Sequence, residues 1–189
     1  MKKYVLDKNF DNINTASFSL DVGEYENCTF TNCDFSNIRL NDFIFTDCEF
    51  ESCNFSMTEL LNTAFRTVEF NQCKIVGVDF ENCNPFGLMF SFNDCKINQC
   101  SFYRLTIKNT PFINCQLIET DFTECNLTNA TFNNCDLKRA VFANSNLEKV
   151  DFSSAENFII DPDTNKIKKA KFSTNNVVGL LSKFNIEVR

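Results

Sequence analysis

Residues 112–152 read FINCQ-LIETD-FTECN-LTNAT-FNNCD-LKRAV-FANSN-LEKVD-F, and this stretch decides the fold. A large apolar residue falls on every fifth position: Phe112, Leu117, Phe122, Leu127, Phe132, Leu137, Phe142, Leu147 and Phe152. Two places before each stands a smaller residue, such as Thr120, Ala130, Cys135 or Ala140. The other three places are mostly Asp, Asn, Glu, Ser, Thr or Lys. Positions five apart on an α-helix are rotated by about 140°, so this series would spiral all round it. In an extended chain, residues two apart share a side, which turns the small residue and the ring inward together. Because five is odd, a straight strand would turn the next unit outward. A corner must separate successive units, and the chain coils into a polygonal tube with its core along the axis.

The beat runs upstream through Ile107, Phe102, Ile97 and Phe92. After a slip of two residues it continues from Phe80 back to Tyr25. The core residues also set the number of sides. From Phe92 to Phe152 the centres alternate between Phe and Ile or Leu. Leu40 and Leu60 lie four units apart among aromatics, as do Cys33, Cys53 and Cys73 in turn, and Cys95, Cys115 and Cys135. A coil of four units places like on like in every stack, whereas a coil of three would set Phe on Leu. The tube has four sides.

Units such as Cys33-Asp34-Phe35, Thr120-Asp121-Phe122, Cys135-Asp136-Leu137 and Val150-Asp151-Phe152 resemble the pentapeptide-repeat family, whose unit reads A-[DN]-[LF]-x-x. The resemblance covers roughly residues 23–155 and implies an all-β, right-handed quadrilateral β-helix. On this reading residues 1–22 form an N-terminal cap and 23–84 the first half of the β-helix. Residues 85–91, with Pro85-Phe86-Gly87, form a kink and register slip, and 92–155 the second half. Residues 156–189 form a C-terminal loop, helix and cap. Within them Ser173-Thr174-Asn175-Asn176 offers N-cap chemistry, and the spacing of Val177, Val178, Leu180, Leu181 and Phe184 predicts a short C-terminal α-helix. Ile186-Glu187-Val188 is expected to form a short strand. The segment covers the open end that a solenoid would otherwise expose. As the family's C-terminal helix often does, it would also offer Val177, Val178, Leu180, Leu181, Phe184 and Ile186 to a second copy, giving a C2 homodimer.

The chemistry-bearing residues are explained by the repeat. The chain of 189 residues has 11 Cys, 23 Phe, no Trp and no His. All 11 cysteines occupy the small inward place of a unit, where a thiol acts as a small buried hydrophobe. An odd count in a reducing compartment argues against a disulfide framework, and the strict register argues against a metal centre. Asp161, Asp163 and Asn165 imitate the start of an EF-hand loop, but Lys166 stands where Gly is needed and Phe172 where Glu is needed. Without His, and without a phosphate-cradling Gly loop, no enzyme and no cofactor are expected. No apolar stretch of membrane-spanning length and no signal-like segment occur, so the expectation is a cytoplasmic protein with no membrane contact.

A net charge of −7 disfavours direct nucleic-acid binding through phosphate neutralisation and points to a protein partner. Sorted by face, the side built on Phe30, Phe50, Phe70, Phe92, Phe112, Phe132 and Phe152 carries Glu49, Glu51, Glu69, Asp94 and Asp151 with no Lys or Arg. The side of Leu40, Leu60, Phe80, Phe102, Phe122 and Phe142 carries Asp42, Glu59, Asp79, Glu81, Asp121 and Glu124 against Arg39 and Arg104. An acidic rod of roughly duplex thickness resembles the quinolone-resistance (Qnr) and MfpA-type members of the family. That resemblance implies binding to a bacterial type II topoisomerase, DNA gyrase or topoisomerase IV, by DNA mimicry, with protection from fluoroquinolones. The chain lacks the projecting loops of many Qnr proteins. The alternative is a scaffold for another protein partner.

Overall fold

The structure, a computed structural model, describes residues 3–14 and 20–187. Its strands follow in chain order as β1 (Lys3–Leu6), β2 (Asn9–Asp11), β3 (Gly23–Glu26), β4 (Thr29–Thr31), β5 (Ile44–Thr46), β6 (Glu49–Glu51) and β7 (Ala64–Arg66). They continue as β8 (Val68–Asn71), β9 (Lys74–Val76), β10 (Phe90–Asn93), β11 (Lys96–Asn98), β12 (Pro111–Ile113) and β13 (Thr131–Asn133). Every pairing is parallel, and each strand meets the one a full coil further on, as in Phe10↔Phe30 and Tyr25↔Phe45. The sheets run β1-β3-β5-β7, β2-β4-β6-β8-β10-β12-β13 and β9-β11. Bridges such as Arg39↔Glu59 and Ser101↔Asp121 complete the fourth side. The molecule is a four-sided parallel β-solenoid with one five-residue unit per side, as the stacking of like on like requires.

The strands are short because a corner interrupts the chain at every unit. At most corners one residue takes a left-handed conformation, for example Asn27 (φ 51°), Asn32 (φ 53°), Asn37 (φ 57°) and Asp42 (φ 63°). Asn and Asp tolerate this region better than other side-chain-bearing residues, which explains their density in the sequence. Stacked corners also bond to one another. Asn129 Nδ2 donates to Asn109 Oδ1 at 3.1 Å, and Asn134 Nδ2 to Asn114 Oδ1 at 3.2 Å.

The core is an aromatic column. Rings of Phe10, Phe30, Phe50, Phe70, Phe92, Phe112, Phe132, Phe152 and Phe172 stack one per coil, with Phe112 and Phe132 at 4.9 Å and 1°. Their spacing of roughly 5 Å is the strand-to-strand distance of the backbone. Rings on the opposite side meet this column edge-on, as Phe122 meets Phe132 at 5.8 Å and 80°.

Both ends extend beyond the repeats recognised in the sequence. Residues 3–14, expected to form a cap, carry β1 and β2 in the same four-unit register, and Asn14 bridges Asp34. At the other end Lys166 bridges Asn146, Lys171 bridges Asp151, and Phe172 stacks on Phe152 at 5.4 Å. The expected loop there is therefore part of another coil.

The slip lies on the side of Tyr25, Phe45 and Phe65. Residues Phe80–Asn82 form a 3-10 turn, after which Asn84 Nδ2 donates to Asn62 Oδ1 at 3.0 Å. The chain then bulges outward through Pro85, Phe86 and Gly87 before Phe90 pairs with Val68. Gly87 (φ 70°) packs beside the Arg66 side chain, and the neighbouring seven-stranded sheet passes the bulge without a break.

The expected C-terminal α-helix is corrected to two 3-10 turns, Val177–Leu180 and Ser182–Phe184. Gly179 lies so close to Phe158 that a Cβ would come within 2.5 Å of its carbonyl oxygen. Ile160 N–H donates to Gly179 O at 3.1 Å, using the acceptor that an α-helix would offer to residue 183. Asn185 (φ 49°) then ends the second turn. Ile186 and Glu187 form no strand, and Val188 lies outside the described residues.

Candidate partner-binding faces

The two outward places flanking each core ring put side chains in vertical rows on four flat sides. On the side of the phenylalanine column, Glu49 and Glu69 are direct register partners in successive coils, with Glu51 on the same strand as Glu49. Asn71 Nδ2 donates to Glu49 Oε1 at 2.7 Å, which holds that carboxylate in place. Among the described residues no Lys or Arg forms a salt bridge with Glu49, Glu51 or Glu69. Asp94 (φ 54°) sits at a corner of this side. Asp151 is different, because Lys171 Nζ lies 3.0 Å from its Oδ2. The face is thus not free of basic residues as expected. Lys171 could have been found from Phe172, which stands four units after Phe152.

The opposite side is acidic in sequence but largely internally paired. Arg39 Nε lies 2.9 Å from Glu59 Oε2, and Arg104 Nε lies 2.7 Å from Glu124 Oε2. The Arg104 guanidinium holds the Glu124 carboxyl below its usual range. Asp42 accepts from Asn62 Nδ2 at 2.6 Å, and Asp121 from Thr123 N–H at 2.8 Å. Asp79 is exposed and Glu81 half-buried, on either side of Phe80. The structure therefore separates the two acidic sides. Glu49, Glu51 and Glu69 form the compact, unneutralised group.

The cysteines are buried without exception. Their thiols donate to carbonyls in the coil below, as Cys53 Sγ does to Phe30 O at 3.2 Å and Cys73 Sγ to Phe50 O at 3.3 Å. Burial pushes the Cys48 and Cys100 thiols up to about 12, so at neutral pH they are protonated and unreactive. Among the described residues no group of three or more His, Cys, Asp or Glu is placed to hold a metal ion. At the EF-hand-like segment the Lys183 ammonium contacts Asp161 Oδ1 at 2.6 Å and also Asp163 Oδ2, occupying the space between the carboxylates.

The C-terminal turns lie over the last coil. Asn176 Nδ2 donates to Phe152 O at 2.7 Å and Ala155 O at 2.9 Å, satisfying carbonyls at the end of the tower. Ser173 and Asn176 bond reciprocally, so the N-cap chemistry read in the sequence is present although the α-helix is not. Val177, Val178, Phe184 and Ile186 are exposed, and Leu180 and Leu181 are partly covered. Between turns and tower runs an open groove of about 780 Å³ lined by Asn134, Ser154, Glu156, Ile159, Val178 and others. Among the described residues no basic side chain lines it.

A family model described as pentapeptide repeat region matches residues 24–90 and 88–161. Two solved structures of trypsin-treated variants of QnrB1, described as a plasmid-mediated fluoroquinolone resistance protein, are similar in fold. Each superposes with a TM-score of 0.64 at 16% identity and covers 100% of this chain, and 98% and 100% of its own chain. HetL, a pentapeptide repeat protein involved in heterocyst differentiation regulation in the cyanobacterium Nostoc, matches at a TM-score of 0.37 and 10% identity, over 90% of this chain and 86% of its own. Comparison with curated proteins finds no match. Among the described residues no helix is long and apolar enough to cross a membrane.

Proposed function

Because the chain belongs to the pentapeptide-repeat family, we propose that it is a non-catalytic, cytoplasmic protein-binding solenoid whose acidic side engages a bacterial type II topoisomerase, DNA gyrase or topoisomerase IV, and protects it from fluoroquinolones. The observation that carries this reading is the group of Glu49, Glu51 and Glu69. Glu49 and Glu69 stand directly opposite in adjacent parallel strands. Like charges placed so are destabilising, and they sit on the surface, with Glu69 exposed and Glu49 and Glu51 half-buried. Such an arrangement suits a partner that brings its own positive charge.

The surface that a topoisomerase turns toward DNA must neutralise phosphates spaced about 3.4 Å along each strand. Carboxylates held on rigid, flat coils about 4.8 Å apart offer such a surface a comparable negative row. The fold shared with QnrB1 supplies the rod on which the row is mounted. The reading is tested with purified protein in a gyrase supercoiling assay containing ciprofloxacin. Supercoiling should be restored by the native chain and not by the triple variant Glu49→Lys, Glu51→Lys, Glu69→Lys. Equal activity of the two proteins would remove this side from the interaction. No protection by either would leave the fold serving another partner.

A further inference from the structure

The side built on Val5, Tyr25, Phe45, Phe65, Ile107, Leu127, Leu147 and Ile167 carries a charge pattern that reverses along the tower. Its outward rows are fixed by the register Tyr4↔Glu24↔Ile44↔Ala64 and Leu6↔Glu26↔Thr46↔Arg66 below the bulge. Above it, the register is Thr106↔Asn126↔Asn146↔Lys166. The corner shared with the phenylalanine side carries Asp7, Asn27, Asp47 and Thr67 below, and Asn109, Asn129, Lys149 and Lys169 above. The lower half of this side therefore presents Asp7, Glu24, Glu26 and Asp47 against Arg66. The upper half presents Lys108, Lys149, Lys166, Lys168 and Lys169 against Glu148. The whole chain follows the same axis, with 14 acidic against six basic residues through position 84, and 11 against 12 beyond it.

The bulge sits midway between these halves, with four core residues of the side below it and four above. It holds Phe86, 76% exposed, and Met89, 57% exposed. Phe86 is not a loose side chain. Its N–H donates to Asn84 Oδ1 at 2.9 Å, and the Arg66 guanidinium lies 5.8 Å from its ring centre. Next to Met89 is a cleft of about 230 Å³ lined by Val68, Phe90, Lys108 and Pro111 among others.

We propose that this side is a self-complementary surface on which a second copy of the chain docks antiparallel, forming a C2 dimer through the flank of the tower. An isologous interface requires one patch that fits itself after a half-turn. A twofold axis crossing the rod at the bulge brings Phe86 and Met89 of both copies together. The same rotation lays the acidic half of each copy on the basic half of the other, with Asp7 facing Lys169 at the same corner, while the register also sets Glu26 against Glu148 and Arg66 against Lys108. Glu24, Glu26 and Asp47 come within reach of Lys149, Lys166 and Lys168. The result is an apolar centre with a charged rim, the usual anatomy of an interface. Nine levels at about 4.8 Å make the side roughly 40 Å long. With a width of about 15 Å it offers roughly 600 Å² per copy, near the ~800 Å² per partner of a standard interface. This dimer goes beyond the topoisomerase reading, leaves Glu49, Glu51 and Glu69 on an adjacent side, and does not use the C-terminal turns.

The test is sedimentation velocity on the full chain at low and high salt. The native chain should form a dimer at micromolar concentration that weakens as salt screens the rim. Phe86→Asp should yield a monomer with an unchanged circular dichroism spectrum, since the ring packs on the surface. The acid-side variant Asp7→Lys, Glu24→Lys, Asp47→Lys and the basic-side variant Lys149→Glu, Lys166→Glu, Lys169→Glu should each lose about tenfold or more in self-affinity. Mixed in equal amounts, the two should recover a heterodimer, which general destabilisation could not produce. A native chain monomeric up to about 100 μM would overturn the proposal, as such weakness exceeds a functional interface of this size. So would a dimer that survives Phe86→Asp but is lost on Phe184→Asp, which would place the contact at the C-terminal turns.

Discussion

The rings of Phe70 and Phe92 stack at 5.1 Å with planes 12° from parallel, although their connection is longer by two residues than any other step of that column. The two extra residues are taken up entirely on the side of the bulge. The phenylalanine sheet crosses the insertion in register, with Phe90↔Val68 and Asn93↔Asn71. Core stacking, not the uniformity of the connections, keeps the coils aligned.

That ranking predicts a gradient of mutational cost along the column. Phe92→Ala removes a fully buried ring with a stacked neighbour on each side, and should destabilise by about 3–5 kcal/mol. Phe10→Ala removes a partly exposed ring in the first coil, stacked on Phe30 alone within the column, and should cost markedly less. Guanidinium unfolding of the two variants decides the matter. Equal shifts in midpoint would mean that the tower unfolds from the middle as readily as from its end.

The corner at Thr67 carries an avoidable strain. Thr67 is β-branched yet holds φ 54°, while its column neighbours Asp7, Asn27 and Asp47 suit that conformation. Thr67→Asn should stabilise the protein by roughly 1 kcal/mol, the order of the left-handed penalty that Asn relieves in part. A rise in melting temperature checks this. A fall would show that the Thr67 side chain makes a contact worth more than the strain.

Most of the fold was legible because the residues that carry it repeat. Phe112, Leu117 and Phe122 are equivalent in environment, so one period describes them all, and Cys33, Cys53 and Cys73 report the coil length directly. Legibility failed where a coil departs from the consensus. Val5 and Phe10 continue the beat, but residues 1–22 lack its small-residue partners, and Lys166–Phe172 is preceded by an Asp-Pro-Asp turn. The α-helix expected at 177–184 was a matter of spacing alone. Spacing carries no information about the backbone of Phe158, which claims the space at Gly179. Acidic residues could be sorted by face, yet which of them are neutralised depends on register partners such as Arg104 and Glu124, one coil apart. The polarity of the bulged side was hidden for a further reason. Its lower half lies partly in residues 1–22, expected to form a cap, and its upper half ends in Lys166–Lys169, within the expected loop.

The C-terminal turns are tied down by Lys183 on Asp161 and Asp163, and this contact has a defined pH window. Hydrogen bonding to Lys183 holds the Asp161 carboxyl below its usual range and the Lys183 ammonium above its own. A depressed carboxyl contributes stability that is present above its unfolded value, about 3.9, and lost as pH falls through the folded one. A raised ammonium contributes stability that is present below about 10.4 and lost as pH rises through its folded value. Amide exchange in residues 177–187 should therefore show constant protection from about pH 5 to 9 after correction for intrinsic rates, and loosen near pH 3. Lys183→Met should give the acid-like exchange pattern already at pH 7. Unchanged protection in that variant would show that Asn176 and Gly179 hold the turns without the ion pair.

The pairing of Glu49 with Glu69 gives a prediction in which stability and binding move in opposite directions. These residues face each other across adjacent parallel strands, with Asn71 bonded to Glu49 and Ser91 next in the row. Glu69→Lys replaces a like-charge pair with an attractive one at an exposed position. Stability should rise by about 0.2–1 kcal/mol, an effect that fades with added salt. If the row serves a basic partner surface, the same substitution should weaken partner binding and topoisomerase protection. Loss of binding in ordinary mutants often reflects loss of fold, but here the variant is the more stable protein, which removes that explanation. Thermal unfolding at low and high salt, set beside the supercoiling assay, measures both quantities. A variant that gains stability and keeps full protection would mean that the acidic row is tolerated by the fold and not used.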